Sequence, residues 1–201
     1  MIINHDPEFV ITLQRVIEFI GTFAFALSGI RLAASKHYDW LGGFVCGIAV
    51  AIGGGTIRDV MLGIRPFWML SPIYMICTLF AQCVVIVCHH YLRRLDTTWF
   101  LFDTLGLALF NIAGIQKTLE CGFPFWVAII MGCITGAAGG VIRDVLLNEE
   151  PVIFRREIYA MACVVGGLTY WLLSWLQVSL YITVIATFAI VCAIRFLAVR
   201  Y

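Results

Sequence analysis

Two short segments of the sequence place glycines, an arginine and an aspartate inside long apolar runs. They are Gly53-Gly54-Gly55-Thr56-Ile57-Arg58-Asp59 and Gly139-Gly140-Val141-Ile142-Arg143-Asp144. A glycine inside a helix costs about 1 kcal/mol relative to alanine, and charged side chains are costly in lipid. The pattern therefore predicts two helices that are broken at their glycines, each with a guanidinium and a carboxylate beside the break.

A broken helix could bind and pass ions. The first half exposes unpaired carbonyl groups and the second half exposes unpaired N–H groups, so the two ends attract cations and anions respectively. Irregular backbone at membrane depth is tolerated only where protein or a water-filled cavity covers it. We therefore expect an ion pathway at helix kinks formed by Gly53, Gly54, Gly55, Gly139 and Gly140.

The charged residues beside the glycines have two interpretations. Thr56 and Asp59 resemble a capping box that would repair the first break. Arg58 and Arg143 either line the pathway or lock the fold, since buried charges almost always pair. In a lock they would pair with Asp59 and Asp144, within one segment or across the two.

Two further carboxylates lie in apolar segments. Glu18 could pair with Arg15 one turn earlier, which would make it an interfacial residue. Asp103 has no basic residue three or four positions away on its own helix. It is therefore the better candidate for a carboxylate that faces the pathway.

The composition is that of an integral membrane protein. Of the 201 residues, 62% are hydrophobic and 12% are charged, whereas a soluble domain is nearer half apolar and a quarter charged. The net charge of +1 gives no support for nucleic-acid binding. None of the eight cysteines forms a CxxC pair, so no metal site is indicated.

The remaining residues show no motif that indicates a catalytic or phosphate-binding site. The glycine runs are not phosphate-binding loops, because no Gly-Lys-Ser/Thr follows them. No Ser/His/Asp or Cys/His arrangement stands out from the spacing. We expect neither enzyme activity nor a cofactor, and the only expected ion is a permeant monovalent cation near Gly54 and Gly139, potassium or sodium.

The hydropathy pattern predicts seven membrane-spanning helices in a single transmembrane domain, residues 1–201. A span needs about 20 mostly apolar residues. Seven segments qualify: about 9–32, 40–62, 70–91, 99–117, 124–147, 157–175 and 179–197. The runs are continuously apolar, which argues against a transmembrane β-barrel.

The two halves of the chain are related by an offset of 85 residues. The offset takes Gly21 to Gly106, Gly29 to Gly114, Gly47 to Gly132, Gly55 to Gly140, Arg58 to Arg143, Asp59 to Asp144, Pro66 to Pro151, Tyr74 to Tyr159 and Glu18 to Asp103. The sequence thus predicts one repeat over about 9–91, a second over about 99–175, and an extra helix over 179–197.

Because each repeat crosses the membrane three times, an odd number, the second repeat begins on the opposite side of the membrane from the first. The two repeats should therefore be inverted about an axis in the membrane plane, an architecture of many transporters. More basic residues lie on the side of the C-terminus than on the side of the N-terminus. This bias predicts a cytoplasmic C-terminus and an external N-terminus in the cell inner (plasma) membrane.

Small residues recur at steps of four in the second and fifth spans. Gly43, Gly47, Ala51 and Gly55 form the first stripe, and Ala128, Gly132, Gly136 and Gly140 form the second. Such stripes let helices approach closely in lipid. Gly53 and Gly54 lie off the stripe, so we assign them to an unwound turn instead.

The paired Gly-Gly-x-Ile-Arg-Asp-Val segments, at 54–60 and 139–145, resemble those of the trimeric intracellular cation (TRIC) channels. The chain is more similar still to small prokaryotic members of that superfamily, some of which are labelled glycine transporters. The resemblance implies a homotrimer with one pore per protomer, gated around kinked second and fifth helices. It also implies permeation by monovalent cations, chiefly potassium.

Two functions are therefore compatible with the sequence. The first is a passive cation channel, in which two carbonyl ends and the carboxylates hold a partly hydrated cation weakly. The second is a secondary transporter of a small zwitterion such as glycine, for which an Arg–Asp pair supplies both charges. The residues fit either function, and the resemblance favours the channel.

Overall fold

The protein is an all-helical membrane protein. A computed structural model describes residues 7–88, 98–155 and 158–200. Its long helices are α1 (Pro7–Ser35), α2 (Trp40–Met61), α3 (Ile73–Val87), α4 (Thr98–Glu120), α5 (Phe125–Leu146), α6 (Ile158–Trp175) and α7 (Leu180–Arg200). A 3-10 helix, Phe67–Leu70, precedes α3, and a single turn of α-helix, Val152–Arg155, precedes α6.

The helix ends follow local signals in the sequence. The Asp39 side chain caps α2 by accepting a 2.7 Å hydrogen bond from the N–H of Gly42. Pro72 and Pro124 immediately precede α3 and α5, positions where a missing N–H costs nothing. The chain leaves α2 and α5 through left-handed residues at repeat-related positions, Gly63 (φ 72°) and Asn148 (φ 53°).

Six helices of the described residues are long and apolar enough to cross a membrane. They are α1, α2, α4, α5, α6 and α7. The third predicted span, 70–91, is represented by α3, which has 15 residues. At 1.5 Å per residue α3 is about 22 Å long, short of a hydrocarbon core of about 30 Å. Residues 89–91 lie outside the described residues, and a seventh span stays a prediction.

The predicted breaks in the second and fifth helices are wrong at the level of secondary structure. Helices α2 and α5 run without interruption through Gly53–Gly55 and Gly139–Gly140. Thr56 does not cap a half-helix either. Its hydroxyl donates to the carbonyl of Ile52 one turn earlier and accepts from the indole N–H of Trp68. Since the helical hydrogen bonds are made, no carbonyl end is exposed there.

The internal repeat is visible in the packing of the helices. Helix α1 packs against α4, and α2 against α5, so each pair joins equivalent helices of the two repeats. The rings of Phe25 and Phe110, which are 85 positions apart, stack with centroids 5.4 Å apart. Gly21 lies against Phe110 and Gly106 lies against Phe25. As residue numbers increase along α1, the residue numbers of their contacts on α4 decrease, so these two helices are antiparallel.

Close approach of α2 and α5 explains Gly54 and Gly139, two glycines that lie outside the small-residue stripes. A Cβ added to Gly139 would lie 2.8 Å from the carbonyl oxygen of Val50. A Cβ added to Gly54 would collide with the carbonyl group of Thr135, which is the repeat equivalent of Val50. Gly54 and Gly139 are thus sites of backbone contact between two antiparallel helices, and the assignment of Gly54 to an unwound turn is wrong.

Helix α7 has no equivalent in the first repeat. It packs against α6 and α4. Its inward face carries Thr183, Thr187, Val191 and Arg195, all buried. Arg195 is one of the basic residues near the C-terminus that favour the predicted orientation, but it lies inside the helix bundle.

Candidate functional site: two carboxylate–guanidinium clusters

The first cluster forms where α1, α2 and α3 meet. The Arg58 guanidinium is 0% exposed. Its Nε donates to Asp59 Oδ1 at 2.7 Å, and its Nη2 donates to Glu18 Oε1 at 3.3 Å. The Tyr74 hydroxyl donates to the other oxygen of Glu18 at 3.1 Å. We call Glu18, Arg58, Asp59 and Tyr74 the first cluster.

The second cluster repeats this arrangement where α4, α5 and α6 meet. The Arg143 Nε donates to Asp144 Oδ1 at 2.9 Å, and its Nη1 donates to Asp103 Oδ1 at 2.6 Å. The Tyr159 hydroxyl donates to Asp103 Oδ1 at 3.3 Å. Every one of these residues lies 85 positions after its equivalent. We call Asp103, Arg143, Asp144 and Tyr159 the second cluster.

Each aspartate also holds the chain that follows its helix. Asp59 Oδ2 accepts a 2.7 Å hydrogen bond from the N–H of Phe67, and Asp144 Oδ2 accepts a 3.0 Å hydrogen bond from the N–H of Val152. The acceptor carboxylates are charge-assisted partners for these backbone groups. Each aspartate therefore fixes both its arginine and the turn beyond the helix.

The two clusters lie toward opposite ends of the α2–α5 pair. Both occupy the last turns of their helices, and both hold residues beyond the helix end. Because α2 and α5 cross as antiparallel helices, their last turns point in opposite directions. The Gly54–Gly139 contact and the Phe25–Phe110 stack lie between the two clusters.

The surroundings of the two arginines differ. Arg143 Nη1 also donates to the hydroxyl of Ser28 at 2.8 Å, and its guanidinium lies 5.0 Å from the Trp99 ring centroid. The residue equivalent to Ser28 in the other half is Ala113, which has no hydroxyl. Arg58 Nη1 is buried and has no hydrogen-bond partner among the residues that the structure describes.

A cavity of about 830 Å³ opens onto the first cluster. Its polar lining combines both signs of charge: Arg15, Glu18, Asp59, Arg65, Tyr74, Lys117 and Glu120. Lys117 and Glu120 form an ion pair at 3.3 Å. A small ion or zwitterion that entered this cavity could reach the carboxylates of Glu18 and Asp59.

The structure decides between the pairings that the sequence left open. Each arginine pairs with the aspartate next to it, so the cross-repeat pairs Arg58–Asp144 and Arg143–Asp59 are wrong. The suggested pairing of Glu18 with Arg15 is also wrong, since Glu18 binds Arg58 and Tyr74.

Asp103 has cationic partners on other helices, although its own helix offers none. Arg143 and Arg195 both pair with it. It is therefore held in place rather than free to face a pathway. The role of these charged residues in permeation stays a prediction.

Sequence reasoning missed three partners of the clusters. Tyr74 and Tyr159 were noticed only as repeat-related positions, although a tyrosine repeated inside two spans is itself a signal for a polar partner. Arg195 was missed because it lies near the end of its span. The steps of four from Thr183 through Thr187 to Arg195 mark a polar face, which could have indicated its burial.

The chain belongs to a family described as glycine transporter. The family model matches twice, over residues 15–90 and 100–175, and the two matches are offset by the same 85 positions as the internal repeat. The UPF0126 inner membrane protein YadS of Escherichia coli is 41% identical over 157 residues, covering 77% of this chain and 75% of the relative. The UPF0126 membrane protein YvgT of Bacillus subtilis is 33% identical over 181 residues, covering 89% of each chain.

Solved structures share this fold over nearly its whole length. A TRIC trimeric intracellular cation channel orthologue from Rhodobacter sphaeroides is 30% identical, with a TM-score of 0.85 over 92% of this chain and 96% of that one. A prokaryotic TRIC channel in 0.5 M KCl is 26% identical, with a TM-score of 0.87 over 94% of this chain and 97% of that one. The resemblance to TRIC channels predicted from the sequence is confirmed.

Proposed function

We propose that the protein is a cation channel, permeable to potassium, that assembles as a homotrimer with one pore in each protomer. Support comes from structural relatives described as trimeric cation channels, one of them 30% identical. The observation in this chain that carries the proposal is the pair of buried carboxylate–guanidinium clusters at opposite ends of α2 and α5. In this proposal the chain has seven spans in two inverted units plus α7, and its N-terminus is external.

The pathway that we propose runs between the two clusters along the α2–α5 crossing. Carboxylates attract cations, and nearby arginines weaken their binding so that an ion can leave, which conduction requires. The cavity of about 830 Å³ beside Glu18 serves as the entrance on one side. The glycines remain part of this pathway, but as contact points between helices rather than as breaks.

The described conformation is the closed one in this proposal. Gly54 and Gly139 bring the two backbones into contact, and Phe25 stacks on Phe110 between the clusters. A tightly packed crossing leaves no room for a hydrated ion. Opening therefore requires α2 and α5 to separate at the glycines, by the small sliding that packed helices undergo.

Single-channel recording from purified protein in planar bilayers tests this function. We expect discrete cation currents in a potassium gradient, with a reversal potential near that of potassium, and a lower unitary conductance in Glu18→Gln. Lys36→Gln is a matched control, because Lys36 pairs with Glu149 at an exposed site outside both clusters. Silent bilayers from trimeric, folded protein would overturn the proposal, and monodisperse monomers in light scattering would overturn the trimer.

A secondary transporter of a small zwitterion such as glycine is the second candidate. Arg58 Nη1 has no hydrogen-bond partner in the described ranges, and the carboxylates that bind Arg58, Glu18 and Asp59, line the cavity. The cavity lining itself carries both signs of charge, so one end of a zwitterion could bind a cationic side chain such as Arg15 or Lys117 and the other end could bind Glu18. Saturable uptake of labelled glycine into proteoliposomes, abolished in Arg58→Ala, would favour this candidate. Uptake that never saturates would exclude a specific site.

A further inference from the structure

Arg195 joins the second cluster from the unduplicated helix α7. Its side chain is 1% exposed, and its Nη2 donates to Asp103 Oδ2 at 3.1 Å. The guanidinium lies between two aromatic rings, 4.7 Å from the centroid of Phe100 and 4.4 Å from that of Tyr159. Within the described part of the chain, its Nε is buried without a hydrogen-bond partner. Asp103 is thus held by two arginines at once.

The first cluster has no such second arginine in direct contact within the described residues. Glu18 binds Arg58 and Tyr74, and its remaining side faces the cavity. Two carboxylates there face one guanidinium, whereas in the second cluster two carboxylates face two guanidiniums. Arg195 therefore binds the second carboxylate oxygen of Asp103, whereas the second oxygen of Glu18 accepts from Tyr74 and Glu18 lines an open cavity.

We propose that Arg195 is a latch of the closed channel, whose contact with Asp103 is made in the closed state and released when the channel opens. The inference rests on the proposed channel function. A contact made in only one of two states biases their populations by its own free energy. Removing the Arg195 contact should therefore increase the fraction of time that the channel is open.

Helix α7 is suited to this role by its packing. It contacts α6 and α4 and takes no part in the contacts between equivalent helices of the two repeats. A shift of α7 could therefore release Asp103 first, and the separation of α2 from α5 that opens the pathway could follow. Once Arg195 has left, a permeant cation could take its place beside Asp103, because the second cluster would then have the same formal charge as the first.

The test compares single-channel records of the wild type, Arg195→Gln and Arg195→Lys. We expect Arg195→Gln to raise the open probability by about fivefold or more, the lower end of typical coupling between states. The unitary conductance should change little. Arg195→Lys keeps the charge and should stay near the wild-type open probability, as should Lys36→Gln, which removes an exposed charge elsewhere.

A second pair of substitutions tests the latch without removing Arg195. The ring centroids of Phe100 on α4 and Phe196 on α7 lie 6.0 Å apart. In a background whose eight native cysteines are replaced, a short bifunctional methanethiosulfonate should link Phe100→Cys to Phe196→Cys and hold α7 against α4. We expect this cross-linker to lower the open probability and a reductant to restore it, while neither reagent affects the single substitutions.

The outcomes separate the latch from the channel itself. Wild-type currents with an unchanged open probability in Arg195→Gln would overturn the latch and leave the channel standing. If Arg195→Gln does not fold, a cross-linked protein that opens as often as the reduced one would overturn the latch. Silence of every folded variant, including the wild type, would overturn both proposals.

Discussion

Ser28 on α1 accepts a 2.8 Å hydrogen bond from Nη1 of Arg143, a residue of α5 that lies 115 positions later in the chain. The same hydroxyl donates to the carbonyl of Trp99 on α4. One small side chain therefore joins the first repeat to the charged cluster of the second. The equivalent position, Ala113, offers nothing to Arg58.

Replacing Ser28 by alanine should destabilise the fold. Arg143 would lose the hydrogen bond that it donates to the Ser28 hydroxyl, and a hydrogen bond with a charged partner contributes about 1.5–3 kcal/mol. Thermal unfolding of purified protein in detergent should show a lower midpoint for Ser28→Ala. Ser35→Ala is the control on the same helix, since the Ser35 hydroxyl is exposed and only bonds the carbonyl of Leu32. Equal midpoints for the two variants would contradict the prediction.

Alanine at Gly54 should destabilise the protein, although alanine is the better helix former. The added methyl would collide with the Thr135 carbonyl group, and overpacking of this kind costs about 1–3 kcal/mol. The matched control is Gly43→Ala on the same helix, where the nearest atom to the new Cβ is 3.7 Å away. Gly43→Ala should be neutral or stabilising in the same unfolding assay. Stabilisation by Gly54→Ala would instead show that the α2–α5 crossing has room for a methyl group at this position.

Shortening the central aromatic pair should loosen the closed state. Phe25 and Phe110 are both buried, and a smaller side chain leaves space that the packed crossing cannot fully close. We expect Phe25→Leu or Phe110→Leu to increase the basal cation current in planar bilayers. Phe80→Leu is the control, because Phe80 is 61% exposed on the outer surface of the helices. A current unchanged in both central variants would place the constriction elsewhere.

The charge bias of the connecting segments predicts which end of the chain faces the cytoplasm. A green fluorescent protein fused to the C-terminus should fluoresce in intact cells, because this reporter folds on the cytoplasmic side of the inner membrane. Alkaline phosphatase at the same position should be inactive, since it folds only outside the cytoplasm. The reverse pair of results would invert the proposed orientation. Leaving out the buried Arg195 does not change the prediction, because the other basic residues still lie mostly on the side of the C-terminus.

The repeat could be read from the sequence because nine pairs of residues keep one offset without a gap. The same offset recurs in hydrogen bonds: Tyr74 binds Glu18 as Tyr159 binds Asp103. The carboxylates and arginines of the clusters were also predictable, since charges in apolar spans stand out, whereas the two tyrosines were not identified as their partners. Their pairing was not, because each arginine reaches a carboxylate 40 residues earlier on a different helix.

The helix breaks were predicted from glycine propensity together with the charges beside the glycines, and tertiary packing outweighs that propensity here. Gly54 and Gly139 allow two backbones to touch, which no other residue permits at these positions. The helices therefore keep their backbone hydrogen bonds, and the close packing between them outweighs the low helix propensity of glycine. A sequence pattern cannot distinguish a glycine that unwinds its own helix from one that admits a neighbour.

Helix α7 also determines whether the two faces of the molecule are alike. Two identical three-helix units related by an exact dyad would present the same surface to each side of the bilayer, and an ion would meet the same barriers in either direction. Here the first cluster opens onto a cavity, whereas the second cluster is held by Arg195 from α7, a helix without a repeat equivalent. Such a molecule has a polarity, and its current–voltage curve should rectify even between identical salt solutions.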